Sequence, residues 1–481
     1  MSRSYTRRSF LKLAAAGSLG AVAGISCARH RPAIVSAGSL ARPEKLRVAV
    51  IGCGGQGVAM HVPAAMSQHL VALVDPDRKC IDRALEAAVK RSAQTEEAFD
   101  PSKVRTFSDY RQMFDTMHRG IDAILVATPN HQHALPAMIA MKLGIGCYVE
   151  KPLTYDIHEA RTLAEWSRRY KVATQMGNQG HSQEGYRRLC EYIWAGALGQ
   201  VREVYCWTDR SNGGVGGRLP TLPVPDGMNW DSWIGPAPYR DYHAELHPHT
   251  WHSWHDFGGG SLGNMGCHVM DGAHWALKLG HPTSVEVEQM IGGSEERYPR
   301  GTRIRWDFPE REGMPPVRIW WYDGIKEGAG EGGQGEYADS VAKPQRNRPP
   351  LVEELEKKYG RNLGGSGSIY VGEKGVMFTA DYGNGVRILP EEAHRIYPPP
   401  PPSIPRIRGT HHDDFFNACR TGQLACSNFE TASKLTEVVL LGCLAMKAGE
   451  GRKIEWDGQR CTNIPELNRY LQREYREGWR A

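Results

Sequence analysis

Val48 to Gly57 reads V-A-V-I-G-C-G-G-Q-G, and few folds accommodate such a run. Four consecutive apolar residues predict a strand of a parallel sheet, buried on both faces. Gly52, Gly54 and Gly57 follow in the spacing G-x-G-x-x-G. The first glycine permits a tight turn, the second lets a pyrophosphate approach the backbone, and the third lets the next helix pack close to the strand. Backbone N–H groups at that helix N-terminus, Gln56 among them, then face the anion. A second apolar run, Val71 to Val74, ends in Asp75, 23 residues after Gly52. An acid there accepts hydrogen bonds from a ribose 2′-hydroxyl and repels a 2′-phosphate. The expected ligand is NAD in preference to NADP, with Arg78 near enough in sequence to offer a competing charge.

Strands then alternate with helices. Ile121–Ala127 and Cys147–Val149 read as strands, Ala134–Leu143 and Ile157–Arg169 as helices, and Val172–Met176 as a sixth strand. This alternation predicts an α/β, Rossmann-type, doubly wound parallel sheet over 44–178. Ligands on such sheets sit at the carboxyl ends of the strands. That rule gathers Gly52–Gly57, Asp75, Thr128, Pro129, Asn130, His131, Glu150, Lys151 and Gln179 on one rim as candidate cofactor contacts.

After about residue 180 the character changes. Short β-rich runs, among them Val201–Thr208, Thr302–Phe308, Val317–Tyr322 and Gly375–Ala380, predict a second, α+β domain over 179–481. Its sheet is expected to be large, open and mainly antiparallel, with Glu373-Lys374-Gly375 as a hairpin turn. The Gly-, Glu- and Lys-rich segment 324–366 reads as a long surface loop, and Pro398–Pro402 as a rigid connector.

The 481 residues carry a net charge of +5, but Arg3, Arg7, Arg8 and Lys12 fall in the first 27 residues with no acid among them. The remainder is close to neutral, which gives no electrostatic basis for binding nucleic acid. Thr6-Arg7-Arg8-Ser9-Phe10-Leu11-Lys12 precedes a small-residue apolar run, Leu13–Ile25, too short and too rich in Ala and Gly to span a membrane. The pair of arginines resembles a twin-arginine export signal, so residues 1–43 are read as signal and linker and the mature protein as periplasmic. Cys27 is a candidate lipid anchor. The 11 cysteines contain no C-x-x-C pair, so neither a zinc site nor a disulfide framework is indicated.

Lys151 follows a strand and precedes Pro152, which holds it at the strand end. A cation there polarises a hydroxyl and stabilises a developing alkoxide. Trp251–Trp275 contains the second candidate cluster. Gly258-Gly259-Gly260 is a loop ahead of a helix, and positions 264, 268, 271 and 275 recur on one face. His268, whose ordinary pKa lies near neutrality, is a candidate general base. His243, His247, His249, His252 and His255 crowd together, but the Pro and Trp among them indicate an irregular loop, and no metal is expected. Trp230, Trp233, Trp251 and Trp254 read as walls, some core and some stacking on sugar C–H faces.

Together the glycine strand, Ala127–His133 (A-T-P-N-H-Q-H), Glu150-Lys151-Pro152 and the G-G-G-x-L-x-x-x-G-x-H-x-x-D run at Gly258–Asp271 resemble the Gfo/Idh/MocA oxidoreductases. The resemblance spans about 44 to 450. It implies a Rossmann domain, a second domain whose open sheet makes homo-oligomer contacts, and NAD(P)-dependent oxidation of sugars or polyols. It places the family's catalytic lysine on Lys151 and its histidine on His268. Members commonly carry Asp four residues before the histidine, where this chain has Asn264. An amide orients but does not relay a proton, which leaves Asp271 or a group of the substrate to compensate. Asn178-Gln179-Gly180-His181 resembles the exported branch, and His181 joins Trp251 and Trp254 as an expected substrate contact.

Three activities follow: a sugar or polyol oxidoreductase with tightly held, recycled NAD; a redox-neutral NAD-dependent glycosidase or lyase acting through a transient keto-sugar; and a sugar-binding protein without turnover. The second also needs a base for the proton beside the ketone, with Tyr186, Tyr239 or a loop histidine as candidates.

Overall fold

The computed structural model describes residues 44–95, 99–248, 250–328 and 346–481. The export signal, Cys27 and the linker lie outside the described residues, as do His249 and the middle of the 324–366 segment.

Strands β1 (Arg47–Ile51), β2 (His69–Val74), β3 (Arg105–Phe107), β4 (Ala123–Val126), β5 (Gly146–Val149) and β6 (Thr174–Met176) form a six-stranded sheet in the order β3-β2-β1-β4-β5-β6. Every pairing is parallel. Val48, Ala49, Val50 and Ile51 are buried, as a doubly covered strand requires. The sheet is flanked by α1 (Val62–Met66, entered through a wide turn at Gly57–His61), α2 (Arg78–Thr95), α3 (Tyr110–Met117), α4 (Ala134–Lys142) and α5 (Ile157–Tyr170). Chain order reverses between β1 and β4, which opens a crevice at their carboxyl ends.

A second, eight-stranded sheet contains β7 (Val201–Thr208), β8 (Ser284–Ile291), β9 (Gly301–Phe308), β10 (Val317–Gly324), β11 (Ser366–Gly372), β12 (Gly375–Ala380), β13 (Arg387–Leu389) and β14 (Ile454–Glu455). Its order is β13-β12-β11-β7-β10-β9-β8-β14. The β7–β10 pair is parallel and the remaining pairs antiparallel, so the sheet is mixed rather than uniform. The hairpin at Glu373-Lys374 sits where Gly372 pairs with Gly375. The accompanying helices are α6 (Glu184–Trp194), α7 (Trp230–Ile234), α8 (Gly260–Val269), α9 (Asp271–Ala276), α10 (Pro350–Tyr359), α11 (Glu391–Ile396), α12 (His411–Thr421) and α13 (Phe429–Ala448).

Two sequence expectations need correction. Segment 324–366 is not a loop throughout, because it contains the end of β10 and all of α10. Val352 and Leu355, one helical turn apart, pack on Trp207, Tyr322 and Phe378, a signal masked by the surrounding glycines. The helix after Gly260 is not continuous: α8 ends at Val269, and α9 restarts at Asp271 after Met270. The expected shared face of residues 264, 268, 271 and 275 is therefore broken.

After the second sheet, the chain returns to the first. Phe415, Phe416 and Cys419 of α12 join the core of Val48, Val50 and Tyr148. A Cβ on Gly146 would lie 2.7 Å from Cys419 Sγ, so β5 carries glycine where α12 presses on it. Residue 178 divides the two sheets in sequence but does not bound the first one in space. All ten described cysteines are free and nine are buried, as small core residues. Among the described residues no helix is long and apolar enough to cross a membrane.

Candidate functional site

The crevice at the carboxyl ends of β1 and β4 is a cleft lined by Gly52, Gly54, Gln56, Asp75, Thr128, Pro129, Asn130, Glu150 and Lys151 from the first sheet. Asn264, Met265 and His268 of α8 form its opposite wall, with Arg210, Trp251, His252 and Tyr382 around them.

Each glycine of the turn has its own reason. Gly52 has φ +90°, and a Cβ there would lie 2.6 Å from the Ala127 carbonyl carbon and oxygen. A Cβ on Gly57 would lie 1.9 Å from the Gly52 oxygen, so Gly57 seats the helix on the strand instead of facing the cleft. At Gly54 the one atom within 4 Å is Cys80 Sγ, at 3.9 Å, and at Gly55 nothing lies that near. The space a side chain would fill at 54 and 55 is the cradle a pyrophosphate needs. Asp75 closes the far end. Its Oδ2 accepts from the Cys53 N–H at 2.7 Å and its Oδ1 from the Asp77 N–H at 2.8 Å. A carboxylate has roughly four acceptor sites, so ribose hydroxyls still find room there. These residues fit a dinucleotide. Arg78 is exposed and pairs with Asp82, so it does not compete for the cofactor; the cation that lines this end is Arg83.

At the other end, Lys151 Nζ donates to the Asn264 backbone oxygen and to its side-chain Oδ1, both at 3.0 Å. Asn264 Nδ2 donates in turn to Asn212 Oδ1 at 3.0 Å. An amide suits this position because it must accept from Lys151 and donate to Asn212 at once. His268 packs against Tyr382, with ring centroids 4.5 Å apart. Its Nδ1 is buried and makes no hydrogen bond among the described residues, which leaves it to a bound hydroxyl. Burial, with Lys151 and Arg210 near, holds His268 well below the ordinary histidine value. It stands as a neutral imidazole, not the group poised near neutrality that the sequence suggested.

Asp271, His131, Gln179, Trp254 and His181 lie elsewhere. Asp271 does not line the cleft; it accepts from Asn178 Nδ2 at 3.0 Å and pairs with His181 Nδ1 at 2.9 Å. His181 stacks on Trp275, which keeps it off the cleft wall. His131 points into the aromatic cluster of Trp233 and Phe257, its Nε2 3.0 Å from the Trp233 oxygen. Trp254 is core, held between the guanidinium groups of Arg240 and Arg297. Gln179 lines a second cavity, behind Glu150. Of the two tyrosines considered as bases, Tyr186 is buried and donates to the His268 oxygen, and Tyr239 is exposed. Tyr382 is the tyrosine at the cleft, and no motif marks it.

The excursion between β7 and α8 crosses the cleft mouth. Arg78 N donates to the Gly227 oxygen at 3.0 Å, and Asn229 N to the Pro76 oxygen at 2.7 Å. Gln132 Nε2 donates to the Ser232 oxygen at 3.0 Å. The chain terminus braces the same stretch, Arg476 Nε donating to the Gly235 oxygen at 3.0 Å.

Glu150 lines both the cleft and the second cavity, with His61 Nε2 3.5 Å from its Oε1. Burial lifts its carboxyl from the ordinary 4.5 to about 7, against the opposing pull of Lys151. Between those values the folded chain keeps a proton that the unfolded chain has lost. The stabilisation is complete at low pH and vanishes as pH rises through the folded value. Glu150→Gln, which mimics the neutral form, should therefore match the parent in melting experiments near about pH 4 and exceed it by up to about 3 kcal/mol near about pH 8. Equal melting curves for the two proteins across this range would refute the assignment.

Residues 46–178 match the GFO_IDH_MocA family model, described as an oxidoreductase family NAD-binding Rossmann fold. Residues 204–296 match the companion model, the C-terminal alpha/beta domain of the same family. An inositol 2-dehydrogenase of Saccharopolyspora erythraea is 32% identical over 34% of this chain and 45% of its own length. A glycosyl hydrolase family 109 protein of Shewanella sp. is 29% identical over 37% of this chain and 40% of its own. The alignments thus span about half or less of these two relatives. The crystal structure of aldose-aldose oxidoreductase from Caulobacter crescentus superposes with a TM-score of 0.52 at 16% identity, covering 86% of this chain and all of that one, which shows a shared fold.

Proposed function

Because the chain belongs to the Gfo/Idh/MocA oxidoreductase family, we propose that it oxidises a hydroxyl of a sugar or polyol with an NAD that stays bound between turnovers. The carrying observation is Lys151 Nζ, fixed at 3.0 Å by two oxygens of Asn264 where the dinucleotide cradle meets the wall bearing His268. NAD held by Gly52–Gln56 and Asp75 supplies the two-electron acceptor. Lys151 places positive charge beside the substrate oxygen and stabilises the alkoxide character that develops there. His268 Nδ1 receives the hydroxyl proton or orients it, and its neutral form leaves it able to accept. Trp251 and His252 exclude water from the far side. Asp271 acts at one remove, fixing Asn178 and His181 beneath the site.

Retention of the cofactor is supported by the excursion across the cleft mouth, whose backbone bonds to Pro76 and Arg78 must open before the adenosine end is released. It also suits export. The Arg7-Arg8 segment resembles a signal for transport of folded proteins, and free NAD is scarce outside the cytoplasm. A periplasmic enzyme carries its cofactor with it and regenerates it within each cycle or with a second sugar.

A redox-neutral glycosidase is the second reading, favoured by the Shewanella relative and by Tyr382, placed against His268 to take a proton beside a transient ketone. Purification of the mature protein with NAD aboard, and a nicotinamide absorbance change on adding a free sugar or polyol, is the expected result. Release of nitrophenol from a nitrophenyl glycoside without net NADH selects the second reading. A protein that binds sugar but never NAD or NADP defeats both.

A further inference from the structure

Asp77, Cys80 and His247 converge at the adenosine end of the cleft, with one donor atom from each within 4.8 Å of the others. Among the described residues no other three His, Cys, Asp or Glu side chains meet so closely. We propose that these three side chains bind one zinc ion, which clasps the excursion to the first sheet. No C-x-x-C pair or regular histidine cluster marks the set in the sequence. The set is instead assembled from two distant segments.

Asp77 precedes α2 and Cys80 lies in its first turn, an i, i+3 spacing that puts both side chains on one side of the helix start. Asp77 Oδ1 accepts from the Lys79 N–H at 2.9 Å, which turns Oδ2 toward the cluster. His247 arrives from the excursion, its Nε2 3.1 Å from Asp77 Oδ2, and Cys80 Sγ lies 3.9 Å from the same oxygen. Tetrahedral zinc with sulfur at about 2.3 Å and nitrogen or oxygen at about 2.0–2.1 Å has ligand–ligand edges of about 3.3–3.6 Å. Small side-chain adjustments bring the triad to that shape.

The neighbours suit a metal thiolate. Arg83 Nη2 donates to Cys80 Sγ at 3.1 Å, an outer contact that would support the sulfur once it has given up its proton to bind a metal. Asp77 and a Cys80 thiolate balance the dication, and Arg83 balances Asp75. A mixed sulfur, nitrogen and oxygen set selects zinc over magnesium or calcium, which take oxygen ligands. Cys80 and His247 both line the cleft, which leaves a fourth position on that side for water.

The test needs no enzymatic assay. Full-length protein from zinc-supplied cells, purified without chelator, should hold one zinc per chain by mass spectrometry. Replacement by cobalt should give the visible bands of a tetrahedral site and a thiolate-to-cobalt charge-transfer band. Cys80→Ser, nearly isosteric, should remove the charge-transfer band, and His247→Ala the stoichiometric metal. Arg83→Gln should weaken zinc binding about 10–100-fold through lost support of the sulfur. Chelation should speed amide exchange at 224–229. Metal-free protein with no cobalt–thiolate band overturns the site, as does zinc retained equally by the variants. Protein that carries NAD but takes up neither zinc nor cobalt would sink this inference alone; zinc bound to a protein that never takes NAD would sink the oxidoreductase reading alone.

Discussion

Lys151→Ala is expected to lower kcat about 100- to 10,000-fold while NAD still binds. The lysine is fixed by both a backbone and a side-chain oxygen of the facing helix, so its charge has a defined place when the substrate oxygen becomes anionic. The dinucleotide contacts at Gly52, Gly54 and Asp75 lie at the other end of the cleft and are untouched. If the interaction strengthens only in the transition state, kcat and kcat/KM fall together and KM stays near its parent value. Asn264→Ala should do less. It removes the Oδ1 contact and the link to Asn212, but the backbone oxygen of residue 264 still holds Nζ. Of the two, the contact to Lys151 bears on the chemistry, and one hydrogen bond of about 1 kcal/mol corresponds to several-fold. Reduction of bound NAD in a single turnover, followed by absorbance, separates the two variants. Parent-like turnover in Lys151→Ala would remove the basis of the proposed chemistry.

How much of this was legible beforehand depended on how local each signal was. The strand, the three glycines and Asp75 form a contiguous unit whose spacing reflects backbone geometry, and the six parallel strands followed from simple alternation. Lys151, Asn264 and His268 were readable because each sits in a short motif. Asp271 shares the helical periodicity of Asn264 and His268 but is taken up by Asn178 and His181, partners from a distant segment that periodicity does not reveal. Trp254 and His131 carry the right chemistry on the wrong side of their backbones, and one sequence does not say which face of an irregular segment turns inward. Arg210, Asn212 and Tyr382 were missed altogether. Arg210 and Asn212 flank Ser211 just before a glycine-rich stretch, and Tyr382 adopts φ +56° in a turn after β12; Arg210 and Tyr382 reach the cleft, and Asn212 reaches Asn264, only through tertiary folding. The return of α12 to the first sheet is likewise a long-range event, visible afterwards in the need for glycine at 146.

The glycine turn offers the sharpest separation of folding from binding. Gly57→Ala adds a Cβ 1.9 Å from the Gly52 oxygen, and the only relief is to move backbone, either the turn or the helix it starts. Overpacking against main chain should destabilise the protein by about 3 kcal/mol or more and lose NAD binding with it. Gly54→Ala meets only Cys80 Sγ at 3.9 Å, so stability should change by no more than about 0.5 kcal/mol. Its methyl group nevertheless occupies the space a pyrophosphate enters, and a lost close approach of backbone to phosphate should weaken NAD binding at least about tenfold. Thermal unfolding and NAD titration by tryptophan fluorescence therefore give opposite patterns: both fail for Gly57→Ala, and only the second fails for Gly54→Ala. Unchanged NAD affinity in Gly54→Ala would mean that the dinucleotide does not lie over this turn, and the placement of Lys151 relative to its reactive ring would fall with it.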